Sequence, residues 1–319
     1  MWIVSKRKPA SLMLDWGTSN VRVWLLAQDG TLLDSKQSSA GINRISDGDF
    51  HTTFNNLTRE LAPTPLPTLM SGMIGSRQGW VEAPYLECPV ALEDLAYQLT
   101  TVPAAPQIQI VPGVHLETAS GRHDVMRGEE VQIAGALAQM NAEIDTRAHL
   151  ICLPGTHSKW AVVEDGQLQS FSTSMTGEVF AALSEHTILG ALLPDEDANP
   201  VNISPAGFDR GLARAGEDGG LLHHLFSVRA EGLFDSVPSG DLRGYLSGIL
   251  IGHEIRDMLV QHNTAGAITI VGDAGLADHY VRAISSLGRT VTTIDPQQAT
   301  LAGLQMIRNA SNKNETRKY

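Results

Sequence analysis

The feature that most constrains this chain is a pattern that occurs twice. Residues 12–33 read LMLDWGTSNVRVWLLAQDGTLL, and residues 150–174 read LICLPGTHSKWAVVEDGQLQSFSTS. Each opens with a short apolar run and turns at a Gly-Thr pair, Gly17-Thr18-Ser19 in one and Gly155-Thr156-His157-Ser158 in the other. Each continues into a β-rich run, closes on Asp-Gly (Asp29-Gly30, Asp165-Gly166), and ends in a third, amphipathic run. Asp-Gly between such runs is a strong hairpin signal, because a type I′ turn needs positive φ at its central residues. Each half of the chain is therefore expected to start with a three-stranded meander whose first turn is polar and carries glycine. Asp-Gly hairpins are common singly. The matching chemistry at both ends of the middle strand is what argues for a duplication.

The two copies differ at one position. Asp15 precedes the first turn, whereas Leu153-Pro154 precedes the second. One acid beside phosphates can hold Mg²⁺, usually through water, while hydroxyls and backbone N–H groups take the phosphate oxygens. On this reading Asp15 serves the metal. Gly17, Thr18, Ser19 and Asn20 form a first phosphate turn, and Gly155, Thr156, Ser158 and Lys159 a second.

At 319 residues the chain exceeds what one hydrophobic core usually spans, so two domains are expected. The net charge of −12, with no dense Lys/Arg cluster, argues against a nucleic-acid partner. The two cysteines, Cys88 and Cys152, form no CxxC or Cys/His cluster, so neither a structural zinc nor a disulfide framework is expected. Reduced thiols and a cytoplasmic location follow as the expectation. The opening MWIVSKRKPASLML does not read as a signal peptide, and no apolar run approaches membrane-spanning length.

Residues 50–62 read as a short amphipathic helix, followed by a Pro-rich connector. The stretch SGMIGSRQGW carries Gly72, Gly75 and Gly79 with Ser76 and Arg77, and reads as a loop. An arginine there can clamp a carboxylate or phosphate bidentately, and a solvated surface arginine is an equally good reading. IQIVPGV reads as one strand. DVMRGEEVQIAGALAQMNAEI becomes a helix with Glu129 and Glu130 in its first turn. Acids are favoured at helix starts by the macrodipole, worth ~0.3–1 kcal/mol. The same position suits a base that accepts a proton from a hydroxyl, and Arg127 just before it suits an anionic substrate group. Thr176 reads as a helix N-cap, and His223-His224 as a surface pair. Gly272 and Gly275, in a strand-turn-helix, would let an adenosine approach the backbone.

DWGTSN, SGMIGSRQGW with APY, MRGEE, PGTHSKW and MTGE resemble signature stretches of the 2-dehydro-3-deoxygalactonokinases. These belong to the superfamily of sugar kinases, actin and heat-shock chaperone ATPases. The resemblance runs from about residue 12 to the final helix. It implies an α/β fold of two actin-like (ribonuclease H-like) domains, each with a βββαβα core, and an interdomain nucleotide cleft. The first domain would comprise residues 1–147 with 297–319, and the second residues 148–296. It also implies ATP and Mg²⁺ as cofactors, and phosphorylation of 2-dehydro-3-deoxy-D-galactonate on its 6-hydroxyl. The partners implied are the small sugar acid and ATP, with no membrane or nucleic acid. A homodimer is compatible with the chain, though no stretch identifies an interface.

Related sugar kinases often place a catalytic aspartate at the start of the helix before the second phosphate loop. This chain has glutamates there. Matching the helices puts Glu130 nearest that position, then Glu129, then Asp124 six residues before Glu130. Ser76, Arg77 and Arg127 are the implied substrate-binding residues. Two alternatives stay open: a kinase for another small sugar acid or sugar alcohol, and a nucleotide-dependent switch on the same fold.

Overall fold

The structure is a computed structural model and describes residues 7–140, 148–194, 203–262 and 266–317. The chain divides into two compact units. One is Met1–Arg147 with Val163–Phe171 and Ile294–Tyr319, and the other is Ala148–Val162 with Ser172–Thr293.

The first unit opens with the antiparallel meander β1 (Pro9–Trp16), β2 (Val21–Ala27) and β3 (Leu32–Ser38). Helix α1 (Phe50–Thr58) starts where the Asp49 carboxylate accepts the Thr52 N–H at 3.0 Å, and stops short of the Pro-rich connector. β4 (Thr68–Ser71) then runs parallel to β1, with Asp15 opposite Ser71. There follow β5 (Tyr85–Glu87), β6 (Val90–Ala91), β7 (Thr100–Val102), β8 (Ala105–Ile110), β9 (Gly113–Glu117), β10 (His123–Met126) and helix α2 (Glu129–Gln139). The main sheet has the order β3-β2-β1-β4-β8-β7, and β10-β9-β5 form a small second sheet. Leu12, Leu14 and Trp16 share one buried cluster with Val21, Val23, Phe50, Phe54, Met70 and Ile108, while Met13 is buried too. A central strand covered on both faces explains why β1 reads as a continuous apolar run rather than an alternation.

The second half of the chain repeats this plan. β11 (His149–Leu153), β12 (Ser158–Glu164) and β13 (Gln167–Ser174) lead into α3 (Thr176–His186), α4 (Pro205–Ala215), α5 (Leu221–Leu233) and α6 (Ser239–Gln261). β14 (Ile268–Val271), α7 (Ala274–Ser286) and β15 (Val291–Ile294) complete it. The strand order is β15-β14-β11-β12-β13, with β6 at the remaining edge through Leu168 opposite Val90. β8-β4-β1-β2-β3 in the first sheet is the same arrangement: the first strand is central, its meander lies to one side, and a parallel strand to the other. The final helix α8 (Pro296–Arg317) returns to α2. The two backbones meet closely, since a Cβ on Gly135 would stand 1.7 Å from the Ala299 carbonyl oxygen and one on Gly303 2.0 Å from that of Val131.

Four expectations are corrected. IQIVPGV is two strands, β8 and β9, separated at Val111-Pro112, where proline supplies no N–H for the ladder. The two Asp-Gly turns are not alike. Asp165 and Gly166 both have positive φ, as type I′ requires, whereas at the first turn only Gly30 does (φ 80°) and the ladder shifts register between Leu25 and Leu26. Thr176 is the first helical residue of α3 rather than its cap, and its hydroxyl hydrogen-bonds Glu254. His224 is fully buried, with Nδ1 2.8 Å from His253 Nε2 and Nε2 on the Asp218 carbonyl, so of the histidine pair only His223 lies at the surface.

Candidate active site

β1 and β4 run parallel, so their C-terminal ends deliver Asp15 and Gly72 to the same edge of the first sheet. Ligand sites in open α/β sheets form at such ends. Gly72 has φ 90°, and a Cβ there would stand 2.9 Å from the Trp16 carbonyl oxygen and 3.2 Å from Asp15 Oδ1. Gly128, with φ 111°, packs so that its own Cβ would meet Gly72 Cα at 3.3 Å. Two glycines in the left-handed region thus bring the start of α2 against the Asp15 strand end. Asp15 carries a salt bridge to Arg22 Nη1 at 3.4 Å. Burial pushes its carboxyl above the usual range, Arg22 opposes this, and the negative charge of Glu129 adds to the rise.

The turn after Asp15 is held from behind. The Gly17 N–H donates to the Asn20 carbonyl at 2.9 Å. The carbonyls of Gly17, Thr18 and Ser19 accept from the amides of Ile42, Asn43 and Gly41. With its carbonyls occupied by a neighbouring segment, the turn exposes the side chains of Thr18, Ser19 and Asn20. Gly41 makes this approach possible, since a Cβ there would stand 2.3 Å from the Thr18 carbonyl oxygen.

The start of α2 separates the three acids proposed as base. Glu130 is fully buried, and both its oxygens accept the Gly128 N–H, at 2.8 and 2.7 Å. Burial first, and then the charge of Glu129, raises its carboxyl to about 8, against the backbone hydrogen bonds that favour the ionised form. Glu129 is half-buried, accepts the Arg127 N–H at 3.0 Å, and is the acid whose field reaches Asp15. Asp124 lies on β10, opposite Leu116 in the small sheet, with Oδ1 accepting the Val125 N–H at 2.8 Å.

The two candidate arginines also part. Arg77 is 81% exposed and pairs with Glu82 at 3.5 Å. Arg127 is buried, with its guanidinium 4.2 Å from the Tyr85 ring centroid and Nη2 donating to the Ala83 carbonyl at 2.8 Å. Its Nη1 lies 3.0 Å from where a Gly75 Cβ would be, and is buried with no hydrogen-bond partner among the described residues. Ser76 Oγ, one residue on, is likewise buried and unpaired among them. Orphaned buried donors are costly, about 1–3 kcal/mol each and more when charged. An anion that accepted from both would relieve that cost.

In the second unit the parallel pair β11 and β14 ends in the same way. A Cβ on Gly272 would meet Pro154 at 3.4 Å, which puts the Gly155-Thr156 turn beside the Gly272 turn. Thr156 is exposed, and a Cβ on either Gly155 or Gly275 would meet nothing within 4 Å, so both glycines face open space. The Thr156 carbonyl accepts the Glu178 N–H at 3.0 Å, and His157 Nε2 pairs with the Glu178 carboxylate. Ser158 and Lys159 turn inward instead. Ser158 Oγ is 3.0 Å from Tyr280 Oη, and Lys159 Nζ donates to Thr173 Oγ1 at 2.7 Å.

Glu254, on α6, had no role in the sequence reading. It is buried and accepts from Trp160 Nε1 and Tyr280 Oη, both at 2.7 Å. Burial raises its carboxyl, and hydrogen bonds from Thr176, Trp160, Tyr280 and Ser158 hold it down. This network ties β12, α3, α6 and α7 together behind the second turn. Its only sequence sign is one acid on the apolar face of a long helix. Among the described residues there is no cluster of three His, Cys, Asp or Glu that could cage a metal.

Comparison with known proteins gives the family. The family profile described as 2-keto-3-deoxy-galactonokinase matches residues 15–307. A protein of Rhizobium meliloti (strain 1021) named as a probable 2-dehydro-3-deoxygalactonokinase is 40% identical over 91% of this chain and 94% of its own length. The 2-dehydro-3-deoxygalactonokinase of Escherichia coli (strain K12) is 35% identical over 94% of this chain and 97% of its own. A crystal structure of a candidate 2-dehydro-3-deoxygalactonokinase from Sinorhizobium meliloti superposes with a TM-score of 0.86 at 36% identity, covering 94% of this chain and 98% of that one. At 12% identity, the ADPNP-bound activator of 2-hydroxyisocaproyl-CoA dehydratase from Clostridium difficile (TM-score 0.51, 96% of this chain and 97% of that one) shares the fold alone. The fold is that of the actin-like sugar kinases, and the chain belongs to the 2-keto-3-deoxy-galactonokinase family.

Proposed function

We propose that this chain transfers the γ-phosphoryl group of ATP to the 6-hydroxyl of 2-dehydro-3-deoxy-D-galactonate, giving the 6-phosphate and ADP in D-galactonate breakdown. Family membership supports the reaction. The observation that carries it to particular atoms is the meeting of Asp15, Gly72 and the Gly128–Glu129 start of α2 at the ends of two parallel strands.

In this reading Asp15 would hold Mg²⁺ through water, and the ion would supply positive charge beside the phosphates. The exposed hydroxyls of Thr18 and Ser19, Asn20, and the Gly155-Thr156 turn bind phosphate oxygens. Gly272 and Gly275 admit the adenosine. Arg127 Nη1 and Ser76 Oγ, both left without a hydrogen-bond partner among the described residues, take the sugar-acid carboxylate, which can accept two hydrogen bonds. Arg77, exposed and paired with Glu82, serves only the rim. Ser158 and Lys159 support the second turn from within rather than touching phosphate.

The first two places in the order of preference for the base are exchanged relative to the sequence reading. A base must be ionised and within reach of the hydroxyl. Glu130 meets neither condition at neutral pH, being fully buried and raised to about 8. Glu129, half-buried and the acid whose charge acts on Asp15, is better placed, so in this reading Glu130 braces the helix start and Glu129 accepts the proton. As the hydroxyl oxygen bonds to the γ-phosphorus, its proton passes to the Glu129 carboxylate and the bond to the ADP oxygen breaks in line. Asp124, on the small sheet, is the third choice.

The test is product analysis by phosphorus NMR after incubation with Mg²⁺-ATP and the galacto acid. A phosphomonoester coupled to the C6 protons, formed one for one with ADP, is the expected result. A phosphate at another carbon, or ADP formed without any phosphoester, would reject the assignment.

A further inference from the structure

Helix α5 is apolar on two opposite faces. Leu225 and Val228 pack inward into the cluster that holds Leu189, Leu242, Leu246 and Ile249. The outward face presents Leu222, Phe226 and Leu233, with Phe234 at the C-cap, and their exposures are 84%, 63%, 57% and 83%. Taking ~200 Å² for a whole large side chain, these four leave roughly 550 Å² of apolar surface in water. That is at the top of the ~300–600 Å² found for the largest patch on a monomer, and it is most of the ~800 Å² per partner that a stable interface covers.

The order along the stripe says what would cover it. Leu222, Phe226, Arg229 and Leu233 are spaced four, three and four residues apart, the seam spacing of paired helices. The stripe is also self-complementary when reversed. If two copies of α5 cross antiparallel about a two-fold axis, Leu222 of each faces Leu233 of the other, and Phe226 of each faces Arg229 of the other. The first pairing is apolar on apolar. The second pairs Arg229, a half-buried residue, with the exposed Phe226 ring, a cation–π contact. An isologous interface requires a patch that complements itself in this way. It also requires attraction in a chain whose net charge of −12 repels its own copies, and a buried apolar seam with one arginine per copy supplies it.

We infer that the outward face of α5 is the homodimer interface, with Leu222, Phe226, Arg229 and Leu233 as its antiparallel seam. The proposal is independent of the substrate assignment.

Sedimentation velocity across micromolar concentrations tests it. The wild-type chain should sediment at twice its 34.3 kDa mass. Phe226→Glu should be monomeric at the same concentrations with an unchanged circular dichroism spectrum, and Arg229→Glu should weaken the dimer at least tenfold. Leu222→Cys combined with Leu233→Cys should form a disulfide-linked dimer with oxidised glutathione, which is reduced as the bond forms. A monomeric wild type would overturn the proposal and leave the face to another partner. A dimer that survives Phe226→Glu would overturn it too, and failure of the double-cysteine variant to cross-link would reject the antiparallel register.

Discussion

Glu130→Gln separates a structural acid from a catalytic one. In the folded protein the Glu130 carboxyl is raised to about 8 from an ordinary value of 4.5, chiefly by burial. Between those two values the folded state holds a proton that the unfolded chain has released. Stability from this group is therefore complete at low pH and is lost as pH rises through the folded value. At 1.36 kcal/mol per pKa unit, the full shift corresponds to about 5 kcal/mol. Relaxation around Gly128 and Arg127 will reduce it, and ~2 kcal/mol is a conservative expectation. Glutamine keeps the shape and an oxygen for the Gly128 N–H but does not titrate. Urea unfolding of both proteins at several pH values from 5 to 8, read by Trp16, Trp24 and Trp80 of the first unit, gives the comparison. The variant should gain stability relative to wild type as pH rises, by ~2 kcal/mol or more over that window, and should keep its turnover within about tenfold. A flat stability difference together with a collapse in kcat would refute the reasoning, because Glu130 would then be ionised and doing the proton transfer itself.

Glu129→Gln is expected to lower kcat by ~10²–10⁴ with the ATP dissociation constant and melting temperature little changed, as steady-state kinetics and calorimetry would show. Gly155→Ala should leave stability untouched, since its Cβ meets nothing, yet raise KM for ATP about tenfold or more if phosphate lies against that backbone. Gly177→Ala should instead cost stability, ~1–3 kcal/mol by urea titration, because its Cβ would stand 2.5 Å from the Gly155 carbonyl oxygen. Arg127→Met should raise KM for the sugar acid at least tenfold with KM for ATP unchanged, whereas Arg77→Met should change neither beyond about twofold.

The duplication was legible because it rests on turns and periodicity, which are local. Gly-Thr turns at residues 17–18 and 155–156 and Asp-Gly at 29–30 and 165–166 mark the same two places in two sheets of the same strand order. What could not be read was the direction in which neighbouring residues point. Glu129 and Glu130 are adjacent on a helix, about 100° apart, so one enters the core and the other does not. Nothing in MRGEE says which, because that depends on how Gly128 packs on Gly72. Ser158 and Lys159 follow a turn but already lie in β12, so their side chains answer to the sheet and to Tyr280 and Thr173. Arg77 and Arg127 look equivalent in sequence, and only burial against Tyr85 distinguishes them. Glu254 was invisible because its partners come from β12, α3 and α7, distant in the chain.

The central claim is that this chain phosphorylates one sugar acid at the expense of ATP. The most direct measurement is ADP release with Mg²⁺-ATP and a panel of 2-dehydro-3-deoxy sugar acids, the galacto and gluco epimers among them. The account predicts turnover that depends on the acceptor and a kcat/KM at least tenfold higher for the galacto acid than for any other. Equal or greater turnover with another acid, or ADP release that ignores the acceptor in folded, ATP-binding protein, would contradict it.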